Sequence, residues 1–181
     1  MEKERTLVIL KPDAVERGLT EEILGRFIKV GYKIVDQKQM TVSHEMAKKH
    51  YPSDREDFIR GMGKKTLDNY AELGLDPHKE LGTSDDHEIG MMVLGWLLDM
   101  LTSGPVVAAV IEGPHSIEVV RKICGFTVPL TAAPGTIRGD FAFDSPALAN
   151  KEKRAVRNLI HASGNREEAE YELKLWFPDL E

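Results

Sequence analysis

An α+β fold, with helices on one face of a mostly antiparallel sheet, follows from three features of the sequence. Two short runs, Thr6–Leu10 (TLVIL) and Val106–Ile111 (VVAAVI), are apolar at every position, as central strands require. Segments with helical spacing of apolar residues separate them, and no strand-like run is long. A length of 181 residues suits about one domain, large enough to bury a core without a disulfide or structural metal.

The elements follow in chain order. The first strand stops at Lys11-Pro12, because proline has no N–H for the ladder. A loop runs to Gly18, with Thr20 as the expected N-cap and Glu21 and Glu22 favouring a helix start. Ile23, Leu24, Phe27, Ile28 and Val30 then keep helical spacing until Gly31. Residues 32–40 alternate imperfectly and read as a second strand. Ser43 caps a short helix carrying Met46, Ala47 and Tyr51.

Residues 52–95 are polar, glycine-containing and irregular in pattern, and Asp85-Asp86 precedes an apolar helix from about Ile89 to Leu101. The second apolar strand turns at Glu112-Gly113-Pro114 into a helix lined by Ile117, Val120, Ile123 and Cys124 that ends at Gly125. Phe126–Asp140 has no clear period and reads as a long loop, a class of segment that is usually functional when ordered. Ser145-Pro146 opens a short helix, residues 158–161 form a short strand, and Asn165-x-x-Glu168 starts a last helix through Trp176.

Composition removes several function classes. With 41% hydrophobic and 30% charged residues the chain is neither collagen, nor a coiled-coil rod, nor disordered. A net charge of -6 makes it a poor generic binder of nucleic acid or of an anionic membrane. The single cysteine, Cys124, excludes an intramolecular disulfide and a cysteine-based zinc site. The charged start does not have the shape of a signal peptide, and the longest apolar stretch, Ile89–Leu98, is too short to span a bilayer. These features lead to the expectation of a cytoplasmic protein with no membrane and no nucleic-acid partner.

Gly61-Met62-Gly63-Lys64-Lys65-Thr66 fails as a phosphate loop: the spacing is wrong and no strand precedes it. No histidine pair has H-E-x-x-H spacing. Two dispersed sets carry more chemistry. Lys11 at a strand end, Arg121 in a helix and Arg138 between Gly135 and Gly139 would form a phosphate clamp if they converged; spacing alone leaves surface ion pairing as the alternative. His161 ends a short apolar strand, and Glu168 and Glu172 lie one and two turns into the following helix. A carboxylate-oriented histidine is a competent nucleophile; a structural loop histidine is the alternative.

The residues Glu4-Arg5-Thr6, Lys11-Pro12-Asp13-Ala14-Val15, Arg17-Gly18, Ser103–Ala108 (SGPVVA), Pro134–Phe141 (PGTIRGDF), Asn158-x-x-His161-x-Ser163 and Leu175-Trp176-Phe177 together resemble the nucleoside diphosphate kinase family. The similarity covers residues 5–51, 96–141 and 157–177. It implies a ferredoxin-like βαββαβ core with a four-stranded antiparallel sheet and helical insertions. It also implies Mg2+-dependent ping-pong transfer of the γ-phosphoryl group of ATP to nucleoside diphosphates through a phosphohistidine, by a homo-oligomer.

Carried over by position, His161 is the nucleophile, Glu172 orients its ring and Ser163 bonds that glutamate. Lys11, Arg121, Thr127, Arg138 and Asn158 match residues that hold phosphates and sugar. Tyr51 matches a tyrosine near the nucleophile, and Phe58 the aromatic that stacks on the base. No protein residue is expected as a metal ligand, because magnesium is held largely by phosphates. The chain is expected to be one such domain over 1–181, with insertions at about 52–95 and 142–156. A third departure from the family pattern is Gly164, where an aspartate is usual. A non-enzymatic nucleotide-binding module is the competing class, and intact His161, Glu172, Lys11 and both arginines argue against it.

Overall fold

The computed structural model describes residues 3–180. In chain order the elements are β1 (Glu4–Leu10), α1 (Pro12–Glu16), α2 (Thr20–Val30), β2 (Lys33–Thr41), α3 (His44–His50), α4 (Glu56–Glu72), α5 (Pro77–Leu81) and α6 (Asp86–Thr102). There follow β3 (Pro105–Gly113), α7 (Ser116–Cys124), a 3-10 turn (Pro129–Thr131), α8 (Ile137–Phe141), α9 (Pro146–Lys151), β4 (Ile160–Ala162) and α10 (Arg166–Trp176). The chain divides into two compact units. One contains the sheet, with the residues up to Val42, Gly104–Phe143 and those from Asn158 onward; the other comprises Ser43–Ser103 and Asp144–Arg157.

In the sheet unit the strand order is β2-β3-β1-β4 and every pair is antiparallel, the ferredoxin-like arrangement expected. The two apolar runs are the central strands β1 and β3, paired from Glu4 with Gly113 to Leu10 with Val107. Val8, Leu10, Val107, Ala109 and Ile111 pack with Ile23, Leu24 and Phe27 of α2, Val120 and Cys124 of α7, and Ile137 of α8. Each fully buried large aliphatic or aromatic chain here stabilises by about 1.5–3 kcal/mol. β4 has three residues, and its register sets His161 beside Ile9.

Several local expectations are corrected here. The stretch after Lys11 is not all loop: Pro12 occupies the first helical turn of α1, where its fixed φ suits a helix and its missing N–H is not needed. Thr20 is the first residue of α2 rather than its cap; Leu19 holds the cap position without a side-chain bond. The segment 126–140 contains the 3-10 turn and α8, whose cap Thr136 accepts from the Gly139 N–H. The last strand begins at Ile160, so Asn158 precedes it and His161 lies at its centre.

The second unit holds the largest correction. Residues 52–95 are not irregular: the 17-residue α4 and the short α5 occupy much of them, and α6, the apolar helix expected from Ile89, already starts at Asp86. Their glycines are contact points: a Cβ at Gly63 would lie 1.7 Å from the Asp86 carbonyl oxygen, and one at Gly90 would lie 2.0 Å from that of Ile59. Asp85 caps α6, accepting from the N–H groups of His87 and Glu88 at 3.0 and 2.9 Å. Ser43 caps α3 as expected, accepting from Met46 N–H. Among the described residues no helix is long and apolar enough to cross a membrane.

Candidate active site

Two polar clusters in the sheet unit converge on β4. In the first, Nε2 of His161 lies 2.8 Å from Oε1 of Glu172, and Ser163 Oγ donates to Oε2 of the same carboxylate at 2.6 Å. The His161 side chain is 23% exposed, whereas Glu172 is buried and Ser163 is sealed from solvent. Ser163 is fixed to β1: its N–H donates to the Leu7 carbonyl and its Oγ accepts from the Leu7 N–H. Glu172 is delivered by α10. That helix starts at a capping box in which Asn165 accepts from Glu168 N–H, and it is anchored by the buried Trp176. The carboxylate therefore stands against Nε2 of the ring.

The second cluster is cationic. Lys11 and Arg138 are both buried. Lys11 Nζ donates to Asn158 Oδ1 at 2.7 Å, and Asn158 Nδ2 donates to the Thr127 carbonyl at 3.0 Å. Arg138 donates to three backbone carbonyls, from Nε to Asn158 at 3.2 Å, from Nη1 to Gly125 at 2.7 Å and from Nη2 to Ile160 at 2.6 Å. Burial, reinforced by the Arg138 charge and opposed by Asp13, lowers the Lys11 ammonium to about 8. Burial also lowers Arg138, with the exposed Arg121 on α7 adding to the effect against Cys124. Burial pushes the Cys124 thiol up to about 11, against the pull of Arg138 and Arg121. Cations held together at this electrostatic cost are able to receive an anion.

The two clusters meet at a strained turn. Leu159 has φ of 69°, and Ile160 N–H donates to the Asn158 carbonyl at 2.8 Å, closing a γ-turn. Such conformations cost about 1–3 kcal/mol and gather where function requires them. No sequence signal announces this, since leucine is not a residue that favours positive φ.

Eight of the ten residues expected from the sequence lie in the sheet unit: Lys11, Arg121, Thr127, Arg138, Asn158, His161, Ser163 and Glu172. Thr127 enters through its backbone carbonyl; its side chain is exposed. Tyr51 and Phe58 belong to the other unit. Tyr51 ends α3 with its ring 4.9 Å from that of His50, and Phe58 is half-buried in the first turn of α4. The Gly61–Thr66 stretch lies inside α4, so it presents no loop to a phosphate. At Gly164, Glu168 Oε2 accepts the backbone N–H at 2.8 Å and stands 2.5 Å from where a Cβ would be.

Both oxygens of the carboxylate nearest His161 are engaged, and the groups around Asn158 are cations. A hard cation fits here as the companion of a nucleotide's phosphates.

The comparisons agree with this geometry. The family model described as nucleoside diphosphate kinase matches residues 4–61 and 87–181. A nucleoside diphosphate kinase from Pyrobaculum aerophilum is 49% identical over 181 residues, covering 100% of this chain and 98% of its own. One from Borreliella burgdorferi is 38% identical, covering 98% and 89%. The crystal structure of an NDP kinase from Pyrobaculum aerophilum superposes with a TM-score of 0.95 at 48% identity, over 98% of this chain and 97% of that one. A transition-state mimic of the nucleoside-diphosphate kinase from Borrelia burgdorferi, with bound vanadate and ADP, gives 0.76 at 37% identity, over 98% and 88%. With its fold, its paired His161 and Glu172 and its buried cations, the chain belongs to the nucleoside diphosphate kinase family of phosphotransferases.

Proposed function

We propose that the chain transfers the γ-phosphoryl group of ATP to nucleoside diphosphates in two half-reactions, with His161 as the nucleophile. The observation that carries this reading is the contact of Glu172 with one ring nitrogen of a partly exposed histidine. Nε2 keeps its proton for the carboxylate, so the lone pair of Nδ1 attacks the γ-phosphorus. The bond from phosphorus to the bridging oxygen breaks, and its electron pair leaves with ADP. The ring becomes cationic as the N–P bond forms, and the buried carboxylate stabilises that charge. In the return half, a β-phosphate oxygen of the acceptor diphosphate attacks phosphorus and the N–P electron pair returns to Nδ1.

Lys11, Arg121 and Arg138 supply positive charge for the phosphates, and Asn158 orients Lys11. This fits a reaction in which positioning and electrostatics account for most of the rate. A magnesium ion held by the nucleotide's own phosphates would add to the charge neutralisation that Lys11, Arg121 and Arg138 supply. Tyr51 and Phe58 keep the roles that the family resemblance implies.

Incubation with ATP carrying a labelled γ-phosphate and Mg2+ tests the reading. The expected product is a protein-bound label that is stable to base and lost in acid. His161→Ala should abolish both the label and nucleotide exchange. A His161→Ala protein that still labels and exchanges would overturn the mechanism.

A further inference from the structure

We propose that Asp13 is a positioning residue, whose carboxylate clamps the strained turn at Leu159 and thereby fixes Asn158 and His161 relative to Lys11. The inference rests on the phosphoryl-transfer reading above and adds to that site a residue outside the set matched there. Asp13 is the second residue of α1, two positions beyond Lys11. Its Oδ2 accepts the Leu159 N–H at 3.1 Å, joining α1 to the turn before β4.

The other peptide groups of that turn are already engaged. The Leu159 carbonyl accepts from Lys11 N–H at 2.8 Å. The Asn158 carbonyl accepts from Ile160 N–H and from Arg138 Nε, and the Ile160 carbonyl accepts from Arg138 Nη2. Leu159 is 1% exposed, so its N–H has no recourse to water. A strained residue persists only where its surroundings over-determine it. Asp13 takes the N–H on which that closure depends. Without it the turn would carry both a positive-φ leucine and a buried donor lacking an acceptor.

The second carboxylate oxygen shows why an aspartate stands here. Oδ1 is buried and accepts no hydrogen bond among the described residues. A clamp alone needs one acceptor, which an asparagine would offer at lower desolvation cost. The charge acts on Lys11. The charged groups acting on that ammonium are Arg138 from α8, which repels it, and Asp13 from α1, which attracts it; Asn158, before β4, is neutral. Asp13 therefore has two functions, holding the turn in shape and keeping Lys11 protonated to higher pH.

Two variants of the full chain separate these functions. The measurements are the single-turnover rate of protein labelling at saturating ATP from pH 6 to 9.5, ADP affinity, and amide exchange of Leu159 in the unliganded protein. Asp13→Asn keeps an acceptor and removes the charge. It should keep Leu159 protection and the rate at pH 6.5 within threefold of the parent, and move the alkaline fall in rate to lower pH. Asp13→Ala should lose at least tenfold in Leu159 protection and at least tenfold in rate at every pH, with ADP affinity changed less than threefold. Parental protection and rate in Asp13→Ala would overturn the clamp, and an unmoved alkaline limb in Asp13→Asn would overturn the charge function. If the parent itself never becomes labelled, the functional reading fails, and Leu159 exchange still decides the clamp.

Discussion

Asp144 and Glu172 are buried carboxylates, one in each unit of the chain, and the two are held in opposite ways. Asp144, in the helical unit, is gripped by Arg154 through two nitrogens at 2.5 and 3.1 Å and accepts the backbone N–H groups of Ser145 and Arg157. Burial pushes its carboxyl up, but Arg154 and those N–H groups together outweigh burial and hold it below the ordinary range. Glu172, in the sheet unit, meets a serine hydroxyl and an imidazole. A guanidinium is a permanent charge, so Asp144 is locked into one state. Glu172 is paired with no such permanent charge. The same functional group is paired with a guanidinium in one unit and set against an imidazole and a hydroxyl in the other.

Substitutions that remove charge but not shape break the comparison most directly. Glu172→Gln should slow the labelling half-reaction by about 10²–10³-fold, the loss seen when a preorganised electrostatic group is removed, while leaving nucleotide affinity and thermal stability near those of the parent. Rapid-quench kinetics checks this, and parental rates would place Glu172 with Asp144 as structural. Asp144→Asn should show the reverse. Breaking a buried ion pair costs about 3–5 kcal/mol, which in a chain of this size lowers the melting temperature by roughly 6–20 °C. Labelling per folded molecule should not change, and calorimetry with active-site titration separates the two quantities.

The pH dependence of Lys11 sharpens the contrast. Its folded value of about 8 lies below the ordinary lysine value of 10.5 because burial penalises the cation. If Lys11 faces the phosphates as proposed, turnover should fall as pH rises through about 8 and that charge is lost. Stability moves the other way: the cost of the buried cation is fully present below pH 8 and is relieved as pH rises from about 8 toward 10.5. Bound nucleotide should move the activity limb upward, since phosphate favours the ammonium. The smallest effect belongs to the surface of the helical unit. Asp57 pairs with Arg55 at 2.6 Å with both side chains well exposed, and Asp57→Asn should leave melting temperature and turnover within experimental scatter.

What the sequence reveals differs between the units for a physical reason. β1 and β3 are readable because a strand buried on both faces must be apolar throughout, and the covering helices because their buried face recurs every 3.6 residues. The candidate site residues come from the family resemblance of their motifs, since spacing alone leaves surface ion pairs and a structural histidine as alternatives. α4 is hidden because Gly61 and Gly63 carry the signature of a loop, although a glycine also lets two helices touch. At Gly63 and Gly90 the backbone oxygens of the facing helix occupy the space of a side chain, and that long-range fact is absent from any local window. Leu159 and Asp13 are hidden for the same reason. A positive φ at leucine and a hydrogen bond across 146 positions of sequence exist only once α1 and β4 have met.

Cys124 gives the molecule a built-in clock. It is the only thiol of the chain, it ends α7, it is 1% exposed, and burial raises it to about 11. A thiol reagent cannot reach it, nor find it as thiolate at neutral pH, while α7 stays docked on the sheet. Modification must wait for that helix to open, so its rate under native conditions counts the excursions of one element rather than the unfolding of the whole. Arg138 donates to the carbonyl of Gly125, the next residue, so the element being timed is tied directly to the buried cations. A ligand that tightens that guanidinium should slow the clock, which timed thiol modification with and without nucleotide checks.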